Sequence, residues 1–351
     1  MEKKDKKKKL LWSILFLLIA VMTVWALTSQ NKAFSLHSFA AYWRTANKGW
    51  LVCGLLAAFG FIAFEGAALA AACRPFGRRI RPTHAYLYAA ADVYFSAITP
   101  SATGGQPASA YFMMKDGMAA GVTAAVLLAN LMMYTLSIVV IGVIIFFAFP
   151  GVFLHYGLAG KLLIVFGCAA QLVMVVFFGL LLKDEKLLKR IADWGLHLLC
   201  RLHILRHEEK KREKLNAAMD TYREQLLCLR GQRKMFIFVF LFNFLQRASS
   251  ISVTLFVYLA GGGTFADGLR VWATQGFAVL GSNCIPIPGA MGVSDYLMLE
   301  GFGMMMPSAE AANLELLSRG LSFYLCITVC GISVLLGYLL QKRRNHHAGI
   351  L

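Results

Sequence analysis

The stretch Thr99-Pro100-Ser101-Ala102-Thr103-Gly104-Gly105-Gln106-Pro107 interrupts an apolar run that reaches it from Tyr86 and resumes at Ala108. Two prolines and two adjacent glycines within nine residues cannot continue a helix, because proline removes a backbone donor and glycine costs the most conformational entropy. Broken backbone at membrane depth is tolerated only where it is buried in protein or lines a watery cavity, so the interruption marks a candidate site. Its depth follows from the rest of the chain.

The 351 residues are 58% hydrophobic and only 15% charged, with a mean hydropathy of +0.63. That balance excludes an ordinary soluble domain and fits a polytopic membrane protein. The formal charge of +17 comes from Lys and Arg gathered in a few segments between apolar runs, which is the distribution of topology signals; nucleic acid is not an expected partner. The eight cysteines, at 53, 73, 168, 200, 228, 284, 326 and 330, have neither CxxC nor His/Cys spacing for zinc, and read as reduced structural residues. The first apolar run, Leu10–Thr28, follows a lysine-rich start but is long and lacks a small-x-small cleavage site, so it reads as a retained helix.

The segment Glu2–Lys9 holds six lysines, which keeps the N-terminus in the cytoplasm while Leu10–Thr28 crosses outward. Gln30–Lys48 is then an external loop, and Gly49–Cys73 returns to the basic segment Arg74–Arg81. Ala119–Phe149 spans, Pro150–Gly160 is an external loop, and Leu162–Leu182 spans again. The segment Lys183–Lys234 carries fourteen of the 35 basic residues and belongs inside. Arg81 and Lys115 therefore both lie inside, and everything between them enters and leaves from the cytoplasmic side. Thr99–Pro107 becomes the tip of a re-entrant hairpin.

The second half repeats the pattern with opposite sense. Met235–Ala260 spans outward, Gly261-Gly262-Gly263 turns outside, and the run from Phe265 is broken at Ile285-Pro286-Ile287-Pro288-Gly289-Ala290-Met291-Gly292. The last span, Gly320–Leu340, ends in Gln341-Lys342-Arg343-Arg344 and exits inside, so this second hairpin opens to the exterior. The expected fold is an all-α polytopic membrane protein with six full spans and two oppositely oriented re-entrant hairpins, about eight helices by hydropathy, with the character of an inverted repeat. Residues 1–351 form a single transmembrane domain, into which 183–234 is inserted as basic amphipathic cytosolic helices. Leu187, Leu188, Ile191, Trp194, Leu198, Leu199 and Leu202 recur at helical spacing among basic residues, as in a helix lying on anionic inner-leaflet lipid. Leu215, Met219, Tyr222, Leu226 and Leu229 repeat the pattern in a second helix, which packs on a partner or on the first.

At the first break, Pro107 fits the first turn of a new helix, whose free amides point at the tip. Thr99, Ser101, Thr103 and Gln106 add polar groups suited to a phosphate or glycerol headgroup, while Gly104 and Gly105 permit close backbone approach. A helix kink satisfied by neighbouring helices is the plainer alternative. After the second break, Asp295 suits a cationic headgroup, an arginine, or a helix N-cap, and Glu300 follows it. Arg247 falls midway along its span, where a charge needs a partner such as a phosphate or the acids Glu65 and Asp92. Arg319 and Arg270 sit near span ends, where snorkelling accounts for them comparably well. No catalytic set, phosphate loop, metal motif or cofactor signature is present in the sequence.

The first motif with the following Tyr111-Phe112-Met113-Met114-Lys115-Asp116-Gly117, and Pro286–Gly292 with its acid at 295, resemble the lysylphosphatidylglycerol synthase/flippase transmembrane family over nearly the whole chain. Family members often carry Glu at the position of Asp295 and Gly at that of Ala290. The multiple peptide resistance factors of bacteria fuse this module to a soluble domain that transfers lysine from lysyl-tRNA to phosphatidylglycerol, and the module itself is thought to move the product outward. Only Asn345–Leu351 follows Arg344 here, so the resemblance implies a stand-alone lipid translocase of the bacterial inner membrane, with both termini cytoplasmic. It also implies the alternatives of a phosphatidylglycerol lysyltransferase, with the antibiotic resistance attached to that name, or of a non-transporting membrane partner. The implied partners are membrane phospholipid and either a second copy of the chain or a separate synthase. In a translocase, the two breaks would enclose a headgroup-sized polar cavity.

Overall fold

The computed structural model describes residues 42, 44–99, 102–184, 231–290 and 292–347, with scattered positions between 186 and 229. The expected first span Leu10–Thr28 and its lysine-rich flank lie outside the described residues, as does Ser101. Every described regular element is helical: α1 Lys48–Cys73, α2 Pro82–Ile98, α3 Gly105–Lys115, α4 Ala120–Ala148, α5 Pro150–His155, α6 Leu158–Lys183, α7 Arg233–Ala260, α8 Phe265–Ser282, α9 Val293–Phe302, α10 Ser308–Arg319 and α11 Cys326–His347. Among the described residues, five segments are long and apolar enough to cross a bilayer: Lys48–Phe76, Ala120–Ala148, Leu158–Lys183, Arg233–Ala260 and Ser308–Leu340. They overlap the five expected spans that fall within the described chain, the last of them starting earlier than expected.

The bundle is organised about α1 and α7, which pack along their lengths. The Asn47 amide donates to the Ala260 carbonyl at 2.8 Å, so the start of α1 meets the end of α7 and the two helices are antiparallel. The far end of α1 leads into α2 and α3, which pack on each other as a hairpin. Its mouth is closed by His84 Nδ1 against Asp116 Oδ2 at 2.5 Å and by Tyr88 donating to the same oxygen at 2.6 Å. The end of α7 leads into a second hairpin, α8 and α9, in which Gly281 lies beside Leu297 and Gly301 beside Thr274. Because α1 and α7 point opposite ways, the two hairpins enter the bundle from opposite ends. Their tips approach each other, since the turn at Pro288–Ala290 rests against α2.

One end of the bundle gathers the basic residues Arg74, Arg78, Arg79, Arg81, Lys115, Lys183, Arg233 and Lys234, the connections that the charge reading places together. The outside is apolar: on α6, Leu162, Val165, Phe166, Val173 and Val176 are all exposed, as lipid-facing positions are. Inside, small residues let backbones touch, as lipid-embedded helices require. Gly167 of α6 sits directly on the Leu280 carbonyl of α8, with room for no side chain.

Three expectations change. Pro150–Gly160 is not simply a loop, because Pro150 opens the short helix α5, its missing N–H being harmless in a first turn; the following Tyr156 is buried and donates to the Leu297 carbonyl at 3.0 Å. The last span does not begin at Gly320, since α10 starts it at Ser308 and continues through a π-helical turn, Gly320–Leu325, into α11. In the insertion, the described Tyr222, Leu226 and Leu229 pack neither on a separate partner nor on a sister helix alone. They join a core with Val126, Met235 and Val239, and Tyr222 donates to the Leu181 carbonyl at 3.0 Å. The rest of that insertion is largely outside the described residues, while Ile191 and Trp194 are exposed.

A Cβ placed on Gly167 would also come within 2.8 Å of Gly281 Cα. Gly167→Ala should therefore destabilise the bundle by about 1–3 kcal/mol, the usual cost of overpacking, read as a lowered unfolding midpoint in detergent. An unchanged midpoint would contradict the α6–α8 contact.

Candidate functional site

The first tip satisfies its own backbone. With Ile98 ending α2, Thr99 Oγ1 donates to the Phe95 carbonyl at 2.7 Å and accepts from the Gly104 amide at 2.8 Å. This hydroxyl thus replaces two bonds that the broken helix loses. Ala102 adopts φ 54°, a left-handed conformation that costs an alanine roughly 1–2 kcal/mol. Helix α3 starts at Gly105, and Pro107 lies in its first turn as expected. A Cβ at Gly105 would run into the Asp92 carboxylate and the Ser96 hydroxyl, so glycine is what brings α3 against the acid. Thr103 is exposed at the tip.

Below this tip the structure assembles a buried polar cluster from five helices. Asp92 accepts from Gln106 Nε2 at 2.9 Å and from Ser96 Oγ at 3.0 Å. Glu65 on α1, only 4% exposed, accepts from Gln246 Nε2 and from Asn130 Nδ2, the latter at 3.5 Å. Asn130 is held in turn by Asn243 at 2.9 Å. Glu65 and Asp92 lie within hydrogen-bonding reach of each other, and both feel the charge of Arg247. The Arg247 guanidinium is stacked over the Tyr134 ring at 4.2 Å and near Phe61 at 5.6 Å, and it donates to the Tyr134 hydroxyl. Cation–π contact of this kind stabilises a desolvated guanidinium that lacks a full set of acceptors; its Nε has no partner.

The second tip follows the same plan with other atoms. Ala290 has φ 51° and Gly292 φ 84°, the left-handed region that glycine adopts freely and alanine only at a cost. The Gly292 amide donates to Asp295 Oδ2 at 2.8 Å, an N-terminal cap on α9. Asp295 also pairs with Arg319, whose Nε lies 2.9 Å from Glu315. Of the three roles open to Asp295, the arginine partner and the helix N-cap are present together. Arg319 does not snorkel: it is 8% exposed and locked between two acids, because the span already begins at Ser308 and Arg319 falls inside it. Arg270 is exposed and reaches only Asp267, one turn earlier, at 3.4 Å. Glu300 accepts from the Gly157 amide at 2.9 Å, tying the start of α6 to the second hairpin and not to either tip.

Thus Glu65, Asp92, Gln106 and Arg247 come together around the first tip, and Asp295 with Arg319 at the second, while Arg270 and Glu300 lie apart. The sequence reading missed Asn130, Tyr134, Asn243 and Glu315. Their signal was periodic: 130 and 134, and 243, 246 and 247, recur at helical spacing inside otherwise apolar spans. Among the described residues the two tips rest on neighbouring helices but are not sealed: Ala102 and Thr103 at the first and Ile287 and Gly292 at the second are exposed. A cavity of about 700 Å³ opens at the basic end, lined by Met132, Gly179, Lys183, Lys186, Leu226 and Phe236 among others.

Removing Arg319 would leave two acids buried without a cation, a change that typically costs about 3–5 kcal/mol. Arg319→Ala should sharply lower the unfolding midpoint, whereas Arg270→Ala, at an exposed pair, should change it by less than about 1 kcal/mol. Equal effects would place Arg319 at the surface after all.

A comparison with curated proteins finds no match. A family model described as the lysylphosphatidylglycerol synthase TM region matches residues 11–330, which take in both hairpins and both charged clusters. The chain therefore belongs to the lysylphosphatidylglycerol synthase transmembrane-region family and is a multi-pass membrane protein linked to lysylphosphatidylglycerol metabolism or transport.

Proposed function

We propose that this chain is a phospholipid translocase that carries lysylphosphatidylglycerol, or a related anionic or aminoacylated lipid, between the leaflets of a bacterial inner membrane, with its basic end in the cytoplasm. The observation that carries the reading is the pair of hairpins that enter from opposite ends and bring their tips together at mid-bundle. Such pairs suit alternating access, in which each hairpin gates one face around a central site. The contact of the second turn with α2 corresponds in this reading to a state in which the two hairpins meet.

Arg247 is the group for the lipid phosphate. It stands at the middle of α7, it is charged, and its Nε is without an acceptor. A guanidinium fork suits phosphate oxygens, and the stacked Tyr134 holds it in place without neutralising it. The cavity at the basic end, with Lys183 and Lys186 above Met132, Leu226 and Phe236, has the amphiphilic lining that an anionic lipid needs at entry from the inner leaflet. The residues Thr99, Ser101, Thr103 and Gln106 remain the proposed headgroup contacts of the first tip once the hairpin moves.

Synthase chemistry is the second reading, favoured by the description of the family. Lysyl-lipid formation by the purified chain with charged tRNA would establish it.

The test uses outer-leaflet amine labelling of lysylphosphatidylglycerol in cells that make the lipid. Arg247→Ala should cut labelling about tenfold or more, the worth of one charge-assisted bond to phosphate. Arg247→Lys, which preserves the charge needed by Glu65 and Asp92, should recover folding but only part of the labelling. If a well-folded Arg247→Lys or Arg247→Ala protein exposes the lipid at the normal rate, Arg247 is not the phosphate contact.

A further inference from the structure

The cluster beneath the first tip has one negative charge too many. Glu65 on α1 and Asp92 on α2 bring two carboxyls within hydrogen-bonding reach of each other. Among the described residues, Arg247 on α7 is the one cation acting on either acid. The other titratable groups facing them are the Tyr134 hydroxyl from α4, which already accepts from Arg247, and the Cys330 thiol from α11; α3 contributes only the uncharged Gln106. An isolated surplus charge in a dry interior is far costlier than a bound counter-ion.

A second observation names the kind of counter-ion. Each acid is gripped by a glutamine amide, Glu65 by Gln246 Nε2 and Asp92 by Gln106 Nε2. The carbonyl oxygens at the other ends of those amides, and that of Asn243, are buried and have no donor among the described residues. Gln246 and Asn243 are fully buried. The cluster thus holds more acceptors than protons to give them, both in charge and in hydrogen bonds. Two carboxyls within hydrogen-bonding reach of each other are costly to ionise together, and a shared proton removes that cost by making one of them a donor to the other.

We infer that Glu65 and Asp92 form a proton-binding site that couples proton movement to the movement of the first hairpin. The proton comes from water and binds one carboxylate oxygen, so the cluster passes from two acids against one arginine to one carboxylate against one arginine. With the proton bound, Gln106 can hold α3 against Asp92 and the first hairpin stays closed on itself. Loss of the proton to water leaves both carboxylates charged, and their repulsion acts directly between α1 and α2. Because Gly105 allows no space between α3 and Asp92, that repulsion is felt at the tip. The coupling rests on the translocase reading; the proton site itself does not.

The full-length chain in phosphatidylethanolamine/phosphatidylglycerol nanodiscs tests the site, by infrared difference spectra between neutral and alkaline pH. Wild type should show the carbonyl stretch of a protonated carboxyl at neutral pH and lose it on alkalinisation. Glu65→Gln and Asp92→Asn, isosteric changes checked for folding by size exclusion and melting, should each lack that band. Absence of the band in wild type overturns the inference, and so does its persistence in both variants. Stabilisation of wild type by sodium without a protonated carboxyl overturns it in favour of a metal cation.

Coupling is read in proteoliposomes with fluorescent phosphatidylglycerol under an imposed pH gradient. One proton per lipid should shift the leaflet distribution about tenfold per pH unit in wild type, and Glu65→Gln should abolish the shift. Lipid that never moves, with the infrared band intact, counts against the translocase and not the proton site. Lipid that redistributes regardless of pH, with no band, counts against the proton site alone.

Discussion

A backbone that breaks inside an apolar bundle must find partners for its own amides and carbonyls, because no solvent is there to take them. Much of this architecture follows from that constraint. Thr99 closes the first break by accepting from Gly104 and donating to Phe95, and Asp295 closes the second by accepting from Gly292. Each closure ties a tip to a charged group nearby: Gln106 leads to Asp92 and Glu65, and Asp295 leads to Arg319 and Glu315. Polar atoms needed to end a helix thereby become the first members of a buried network. Once a network of that kind exists, every atom in it demands a partner, which is why five helices contribute to the first one.

The two halves of the chain solve the problem in related ways without copying residues. Each tip contains one alanine in the left-handed region, Ala102 and Ala290, and each sits near two acids and one arginine. In the first half the arginine comes from a different span and stacks on Tyr134 without a described ion pair; in the second it comes from α10 and pairs directly with Asp295. The second cluster is a clamp. The first is less fully matched, with Arg247 Nε and the amide carbonyls of Gln106, Gln246 and Asn243 lacking hydrogen-bond partners among the described residues.

Much of this was legible in the sequence, and for physical reasons. Proline and glycine mark the breaks because no helix can absorb Pro286-Ile287-Pro288-Gly289, and clustered cations mark which ends lie together because they do not enter a bilayer. The start of the last span was not legible. Helix α10 buries Ala311, Leu314 and Leu317 but carries Glu310, Glu315 and Arg319 between them, so its polarity hides a helix whose charges are neutralised inside. Single asparagines such as Asn130 and Asn243 were passed over because an isolated amide in an apolar run has many explanations, and only the fold shows that the two touch. The closure of the first break by Thr99 was likewise beyond reach, since a polar loop in a sequence does not say whether its partners are ligand or protein.

The π-helical turn at Gly320–Leu325 has a mechanical meaning. The helix on its N-terminal side, α10, rests on α9 of the second hairpin, while α11 beyond it rests on α2 of the first, with Ser333 and Gly337 beside Tyr86 and Leu87. One extra residue in a turn rotates everything after it by about 100° relative to a continuous α-helix. Without that offset, a single rod could not present Arg319 to one hairpin and Gly337 to the other. The last helix is therefore built like a crankshaft: it joins the two oppositely entering hairpins through one continuous element, with a phase angle set into its middle.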